Sequence, residues 1–299
     1  MSRAPALWFP LFVVFIDALG MGIIMPIMPD LLVELTGQTV AQSAFIGGVL
    51  MAVYALNQFI FGPIVGALSD RFGRRPLILA CLVTLCLDYV LMAVAWTVTL
   101  LFIGRFIAGI AGASYSVATA YIADVSPREK RSANFGLIGA AFGAGFVLGP
   151  LMGGILGEYG TRAPFWAAAM LAAGNAALGW AVLRETLPRK QRRAFDWRRA
   201  NPLGAFKYIG RLPGLGRLMT ISFVYGIAFF VYPSVWAYFG KVRFGWDAGM
   251  IGLSLALFGL SMVLVQGLLI RHILGWLGNR GTALFGLIFS AIGFGALAV

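Results

Sequence analysis

Apolar residues in this chain gather into nine long blocks, and that feature decides what it can fold into. The blocks run Leu7–Met28, Ala44–Leu68, Leu77–Ala95, Leu100–Ile122, Phe135–Leu156, Ala163–Leu183, Leu218–Phe239, Met250–Ile270 and Thr282–Val299. A hydrocarbon core about 30 Å thick takes about 20 helical residues at about 1.5 Å each. Barrel strands need only about 9–11 residues of alternating polarity, so blocks of this length exclude them. Each block is read as a membrane-spanning helix, and the fold class is an all-α membrane protein. Only 11% of the residues are charged, against about 25% in a soluble domain, which leaves too little polar surface to face water all round. The 39 glycines suit helices that approach closely in lipid. The first block carries Asp17 and two prolines without a small-residue cleavage site, so it reads as a span rather than a signal peptide.

A net charge of +12 raises the question of nucleic acid, but the placement of the charges answers it. With the N-terminus inside, 19 of the 23 basic residues fall in inside segments; Arg162, Lys241 and Arg243 fall outside, and Arg105 lies within a span. Positive-inside bias sets this orientation. The densest run, from Arg184 to Arg217, separates six spans from three and includes Arg192, Arg193, Arg198 and Arg199 around Asp196 and Trp197. It reads as a basic linker drawn to anionic headgroups. The domains are therefore a six-helix bundle over 1–183, a linker over 184–217 and three spans over 218–299. A shift of 205 positions lays Ile46-Gly47 on Ile251-Gly252, Gly62 on Gly267, and Phe72-Gly73-Arg74-Arg75 on Leu277-Gly278-Asn279-Arg280. Such a match points to parallel repeats about an axis along the membrane normal. Six plus six spans would complete that pattern, so the chain reads as truncated after its ninth.

Four segments carry charge or small residues in patterns that packing alone does not require. Gly66-Ala67-Leu68-Ser69-Asp70-Arg71-Phe72-Gly73-Arg74-Arg75-Pro76-Leu77 joins the second and third spans. Its glycines permit a tight turn, and Asp70 lies where a carboxylate meets a helix N-terminus or an arginine. Asp124, in Tyr121-Ile122-Ala123-Asp124, is within reach of Arg71, Arg74 or Arg75. Gly145-Phe146-Val147-Leu148-Gly149-Pro150-Leu151-Met152-Gly153-Gly154 makes a small-residue face with a proline bend, and Gly139 and Gly143 share its helical spacing. Arg105, in Gly104-Arg105-Phe106, brings a charge to membrane depth or snorkels to its edge. Asp17 and Asp88 are acids inside the first and third spans. Each must face a cavity, pair or stay protonated, and a carboxyl in low dielectric is suited to carrying a proton.

These segments resemble the major facilitator superfamily: the 66–77 loop its hallmark loop, Gly104–Gly109 its fourth-span arginine motif, and 145–154 its antiporter motif. Asp17 before Gly20-Met21-Gly22, Asp88-Tyr89, Ala163-Pro164-Phe165, and Phe244-Gly245-Trp246-Asp247 narrow the likeness to bacterial tetracycline:proton antiporters, along the whole chain. The resemblance implies a major facilitator fold, a six-helix half plus three helices of its repeat, in a bacterial inner membrane. It also implies roles. Asp17, Asp88 and Arg105 couple protons, while Gln58 and Gln266 bind substrate. Gly66, Asp70, Arg71, Gly73, Arg74, Arg75 and Asp124 latch the outward-open state. Gly145, Gly149, Pro150, Gly153 and Gly154 serve antiport. Two positions depart from the antiporters: Met262 stands for their histidine and Ser290 for an aspartate, which shifts coupling onto Asp17 and Asp88.

The expected function is export of amphiphilic, tetracycline-like small molecules in exchange for protons by alternating access. The alternatives are a facilitator or proton symporter of sugars or metabolites with the same fold, or an inactive truncated transporter. The partners are a small-molecule substrate, protons and the bilayer, with no nucleic acid, and the chain is expected to be monomeric. No enzyme activity, cofactor or metal is expected: Cys81 and Cys86 share one apolar block, and one histidine, His272, is a poor basis for metal or hydrolytic chemistry. His272, Trp236, Tyr238 and Trp246 read as interfacial residues.

Overall fold

The structure is a computed structural model that describes residues 4–197, 200–202, 204 and 215–298. Arg3, Arg198, Arg199, Lys207, Arg211 and Val299 lie outside the described residues, as does the side chain of Arg271. The helices are α1 (Ala4–Ile24), α2 (Met28–Thr36), α3 (Val40–Phe72), α4 (Arg74–Val94), α5 (Val98–Ala111), α6 (Ser114–Val125), α7 (Arg131–Gly157), α8 (Ala163–Val182), α9 (Leu215–Phe244), α10 (Ala248–Leu264) and α11 (Ile270–Ala298). Among the described residues, eight helical segments are long and apolar enough to cross a membrane, α5 and α6 counting as one; α10 is a shorter apolar helix. All nine apolar blocks are thus helical. The eighth is split because α10 passes into a π turn at Val265–Leu269.

Local chemistry explains where the helices depart from the blocks. Thr39 and Gln42 form a reciprocal capping box, so α3 starts four residues before its apolar block. At its other end α3 runs through Ser69, Asp70 and Arg71 to Phe72. The 66–77 segment is therefore not a loop: Gly73 alone, at φ 111°, breaks α3 from α4. A side chain there would be strained. The fourth block is two helices, not one. The Ser116 N–H bonds to Ala113 at 3.0 Å, and the Gly112 carbonyl instead accepts the Gln58 amide at 3.0 Å. Helix α2 was not expected. It opens with Pro29 in its first turn and closes on Gly37 at φ 65°.

The described residues fall into two compact units, one through Ala256 and one from Leu257. In the first, α1 packs most extensively along α7, and α4 packs between α5 and α8. Residues Leu19, Ile23, Leu31, Tyr89, Met92 and Phe165 are buried in its largest apolar cluster. The α1–α7 seam depends on three glycines four residues apart. A Cβ on Gly145, Gly149 or Gly153 would run into the backbone carbonyl oxygen of Phe15, Leu19 or Ile23 respectively. Gly139 and Gly143 share their spacing but meet open space. Helix α7 stays continuous through Pro150. On its other side, Gly154 abuts Ala248 and Gly249 of α10, and Gly252 abuts Pro150.

Trp236 and Tyr238 are buried rather than interfacial. The Trp236 ring lies 4.6 Å from Tyr232 and 6.0 Å from Trp246, and its indole N–H donates to Ser254 at 2.8 Å. This packing satisfies the one polar atom of the indole away from water. In the second unit α11 breaks at Gly278, φ 62° and ψ 178°. Gly278 is the residue that the 205-position shift lays on Gly73, so both copies turn on a glycine of positive φ at the same place.

The glycine seam makes a contrast that can be measured. Gly153→Val should lower stability by about 1–3 kcal/mol, the usual cost of overpacking a close contact. Gly139→Val should be near neutral. Thermal unfolding of both proteins in detergent distinguishes them, and equal losses would contradict the seam.

Candidate functional site

A buried charge pair lies where α4 meets α5. Arg105 Nη2 is 2.9 Å from Asp88 Oδ2, and both side chains are removed from solvent. Arg105 therefore does not snorkel. Gly104 lets the carboxylate approach, since a Cβ there would lie 2.7 Å from Asp88 Oδ1. Gly109, one turn on, admits the backbone and side chain of α3 at Tyr54 and Asn57. Arg105 Nε and Asp88 Oδ1 have no partner in the described structure. The pair therefore has donor and acceptor capacity left over.

Tyr54 joins this pair to the other predicted residues, and nothing in the sequence marked it. The Arg105 guanidinium sits over its ring, 5.6 Å from the centroid. Its hydroxyl donates to Met21 Sδ at 3.2 Å, one turn beyond Asp17 on α1. Gln58, one turn along α3, donates to the Tyr54 hydroxyl at 3.5 Å as well as to Gly112. Asp17 accepts the Ser114 hydroxyl at 2.5 Å, at the start of α6. Asp17, Gln58, Asp88 and Arg105 thus come together around the α5–α6 break. A small cavity of about 70 Å³ opens beside them, lined by Arg105, Tyr54, Met21, Met51, Ser234 and Tyr238 among others. It has room for a few water-sized molecules but not for a drug-sized one, which needs about 300–1,000 Å³.

At the α3–α4 turn, here called the inner end, Arg74 gathers the second group. It meets Asp70 at 2.7 Å, Asp124 at 3.1 Å and the Ser69 hydroxyl at 2.5 Å. Of the three arginines within reach of Asp124, Arg74 is the one that pairs. Arg75 donates to the Trp180 carbonyl at 2.8 Å and Arg71 lies over Phe72. The carboxylate at the N-terminus of α4 is not Asp70 but Glu185, which accepts the Arg74 backbone N–H at 2.9 Å. Glu185 also accepts the Leu187 N–H at 3.0 Å and sits 3.7 Å from Arg192. Thr186 reaches Asp124 at 3.4 Å, and the Arg193 N–H bonds to the Asp70 carbonyl at 3.1 Å. The first part of the segment read as a solvated linker is therefore a strap across the inner end. Composition hid this, because its basic residues outnumber the one acid that anchors it.

At the opposite, outer end, α2 carries two acids. Asp30 pairs with Lys241 of α9 at 2.5 Å, and Glu34 pairs with Arg162 at 3.1 Å and accepts the Thr161 hydroxyl at 2.5 Å. The Thr161 hydrogen bond, aided by Arg162, holds the Glu34 carboxyl below its usual range against the opposing effect of burial. Its contribution is present above the unfolded carboxylate value and fades as pH falls through the lower folded one. Arg162 also donates to the carbonyls of Ala93, at 3.3 Å, and Ala95, closing the end of α4. Arg162 and Lys241, both assigned outside, are thus matched by acids there.

In the second unit Gln266 lies exposed in the π turn, while Met262 and Ser290 are partly buried. His272 is exposed, with Nδ1 2.9 Å from the Leu268 carbonyl. Cys81 and Cys86 are both free thiols, and no cluster of three metal-ligating residues occurs among the described residues.

Comparison with known proteins agrees with this architecture. The Major Facilitator Superfamily profile matches residues 11–299. The chain is 41% identical over 285 residues to the class C tetracycline resistance protein of Escherichia coli, covering 95% of this chain and 71% of that protein. It is 40% identical to the class E protein of Escherichia coli, again covering 71% of it. The crystal structure of the human organic anion transporter MFSD10 superposes with a TM-score of 0.70 at 24% identity, over 91% of this chain and 73% of that one.

Removing one partner of a buried ion pair leaves an uncompensated charge, at a cost of about 3–5 kcal/mol. Asp88→Ala and Arg105→Ala should each lose about that much in a denaturant titration. The double variant should lose clearly less than the two losses added together. Additive losses would mean that the two side chains do not depend on each other.

Proposed function

Starting from a chain that belongs to the Major Facilitator Superfamily, and is therefore a multi-pass membrane transporter rather than an enzyme, we propose that it exports tetracycline-like amphiphilic molecules in exchange for protons. The observation that carries this reading is the cluster of Asp17, Asp88 and Arg105 with Tyr54 and Gln58 beside a methionine-lined cavity. Two acids in low dielectric, one hydrogen-bonded to a hydroxyl and one to an arginine, are suited to taking up and releasing protons. Methionine walls adapt to varied apolar ligands. The tetracycline resistance relatives support the substrate class.

In this reading residues 1–183 and 218–299 are two halves of a repeat that rock about the cavity, with the N-terminus and the inner end in the cytoplasm. Gln58 and Gln266 offer hydrogen bonds to substrate. Asp70, Arg71, Arg74, Arg75 and Asp124, with Gly66 and Gly73, latch the inner end in the outward-open state, and Glu185 belongs to that latch. Of the small-residue motif, Gly145, Gly149 and Gly153 hold α7 against α1 within the first half, while Pro150 and Gly154 meet α10 and give the halves a close contact on which to move. With Met262 and Ser290 in place of ionisable residues, proton coupling rests on Asp17 and Asp88.

Substrate-driven proton flux in proteoliposomes tests this. Asp17→Asn and Asp88→Asn should each abolish the flux while substrate still binds. Undiminished flux in both variants would overturn the coupling assignment.

A further inference from the structure

Helix α2 lies outside the candidate spans, yet it touches both sides of the cavity mouth. Its Glu34 face is fixed to the six-helix bundle. Glu34 holds Arg162 and Thr161 at the α7–α8 turn, and Arg162 in turn holds the terminal carbonyls of α4. Its Asp30 face points the other way, to Lys241 near the outer end of α9, 211 residues along the chain. Both partners are partly withdrawn from water, Lys241 to 16% exposure. A second contact lies below this pair. The Tyr238 hydroxyl, one turn earlier on α9, occupies the space over Gly47 of α3 where a side chain would be. Met28 of α2, Gly47, Ser234 and Tyr238 all line the cavity just beneath.

We propose that α2 is an outer gate, and that the Asp30–Lys241 ion pair holds it shut over the cavity. Glu34 and Arg162 are its fixed anchor, and Asp30 is its catch. The pair joins elements on either side of the mouth, so it must part whenever the cavity opens outward. Asp30 and Lys241 are positioning residues: they set the balance between closed and open without touching substrate. The inference rests on the alternating-access reading above, but its test reads gate position rather than transport.

The test uses the full chain with Cys81 and Cys86 replaced by serine and Ser234→Cys as a reporter on the cavity wall. A membrane-impermeant maleimide is applied from the outer side of proteoliposomes. Asp30→Asn and Lys241→Gln should each raise the labelling rate about fivefold or more, the change expected when a modest interaction is removed from an open–closed balance. The exchanged pair, Asp30→Lys with Lys241→Asp, should return the rate toward the starting value. In a separate protein, Asp30→Cys with Lys241→Cys should form a disulfide under oxidation, bring labelling below the starting rate, and release it on reduction. Unchanged labelling in the single variants, an exchanged pair that labels as fast as either single, or failure of the disulfide to form would each overturn the gate. Labelling that responds as stated while substrate-driven proton flux is absent would leave the gate standing and remove the exchange reading instead.

Discussion

A guanidinium cannot sit unpaired among apolar helices, and the structure through Ala256 is arranged around that constraint. The burial of Arg105 is tolerated because Asp88 lies 2.9 Å away and the Tyr54 ring offers its face. Three features of the surrounding sequence serve that arrangement. Gly104 admits the carboxylate, Gly109 admits α3, and the break after Gly112 lets Gln58 reach a backbone carbonyl. The arginine accounts for the place of Asp88, whereas Asp17 is held separately by the Ser114 hydroxyl.

The two ends of the bundle solve opposite problems. At the inner end one arginine, Arg74, is shared among Asp70, Asp124 and Ser69, and Glu185 covers the N-terminus of α4 where its free N–H groups favour an anion. At the outer end two partly exposed ion pairs connect elements far apart in the chain. Partly exposed pairs contribute little stability, which suits the proposed Asp30–Lys241 catch. Between the ends, the glycine seam brings α7 against the backbones of α1 and α10.

The sequence shows most clearly what depends on length and local composition. All nine apolar blocks are helical, and Asp70, Arg74 and Asp124 meet as a motif read in isolation suggests. Gly73 and Gly278, which the 205-position shift lays on one another, both have positive φ. What stays hidden depends on partners distant in sequence. Glu185 reads as one acid in a basic run until it meets the Arg74 N–H, 111 residues away. Trp236 and Tyr238 look like interfacial anchors because aromatic residues near a span end usually are. Their burial depends on α3, α10 and Gly47, which no local pattern reveals. Gly139 and Gly153 are indistinguishable by spacing and differ only in what faces them.

The central claim is exchange of an amphiphilic substrate for protons through the site around Arg105. The most direct measurement is tetracycline accumulation in inside-out vesicles as an imposed pH gradient, acidic in the lumen, is collapsed by a proton-exchanging ionophore. The account predicts accumulation that follows the gradient, with lumenal alkalinisation on adding substrate and loss of both on collapse. Accumulation that persists without a gradient, or substrate entry with no accompanying proton movement, would contradict it.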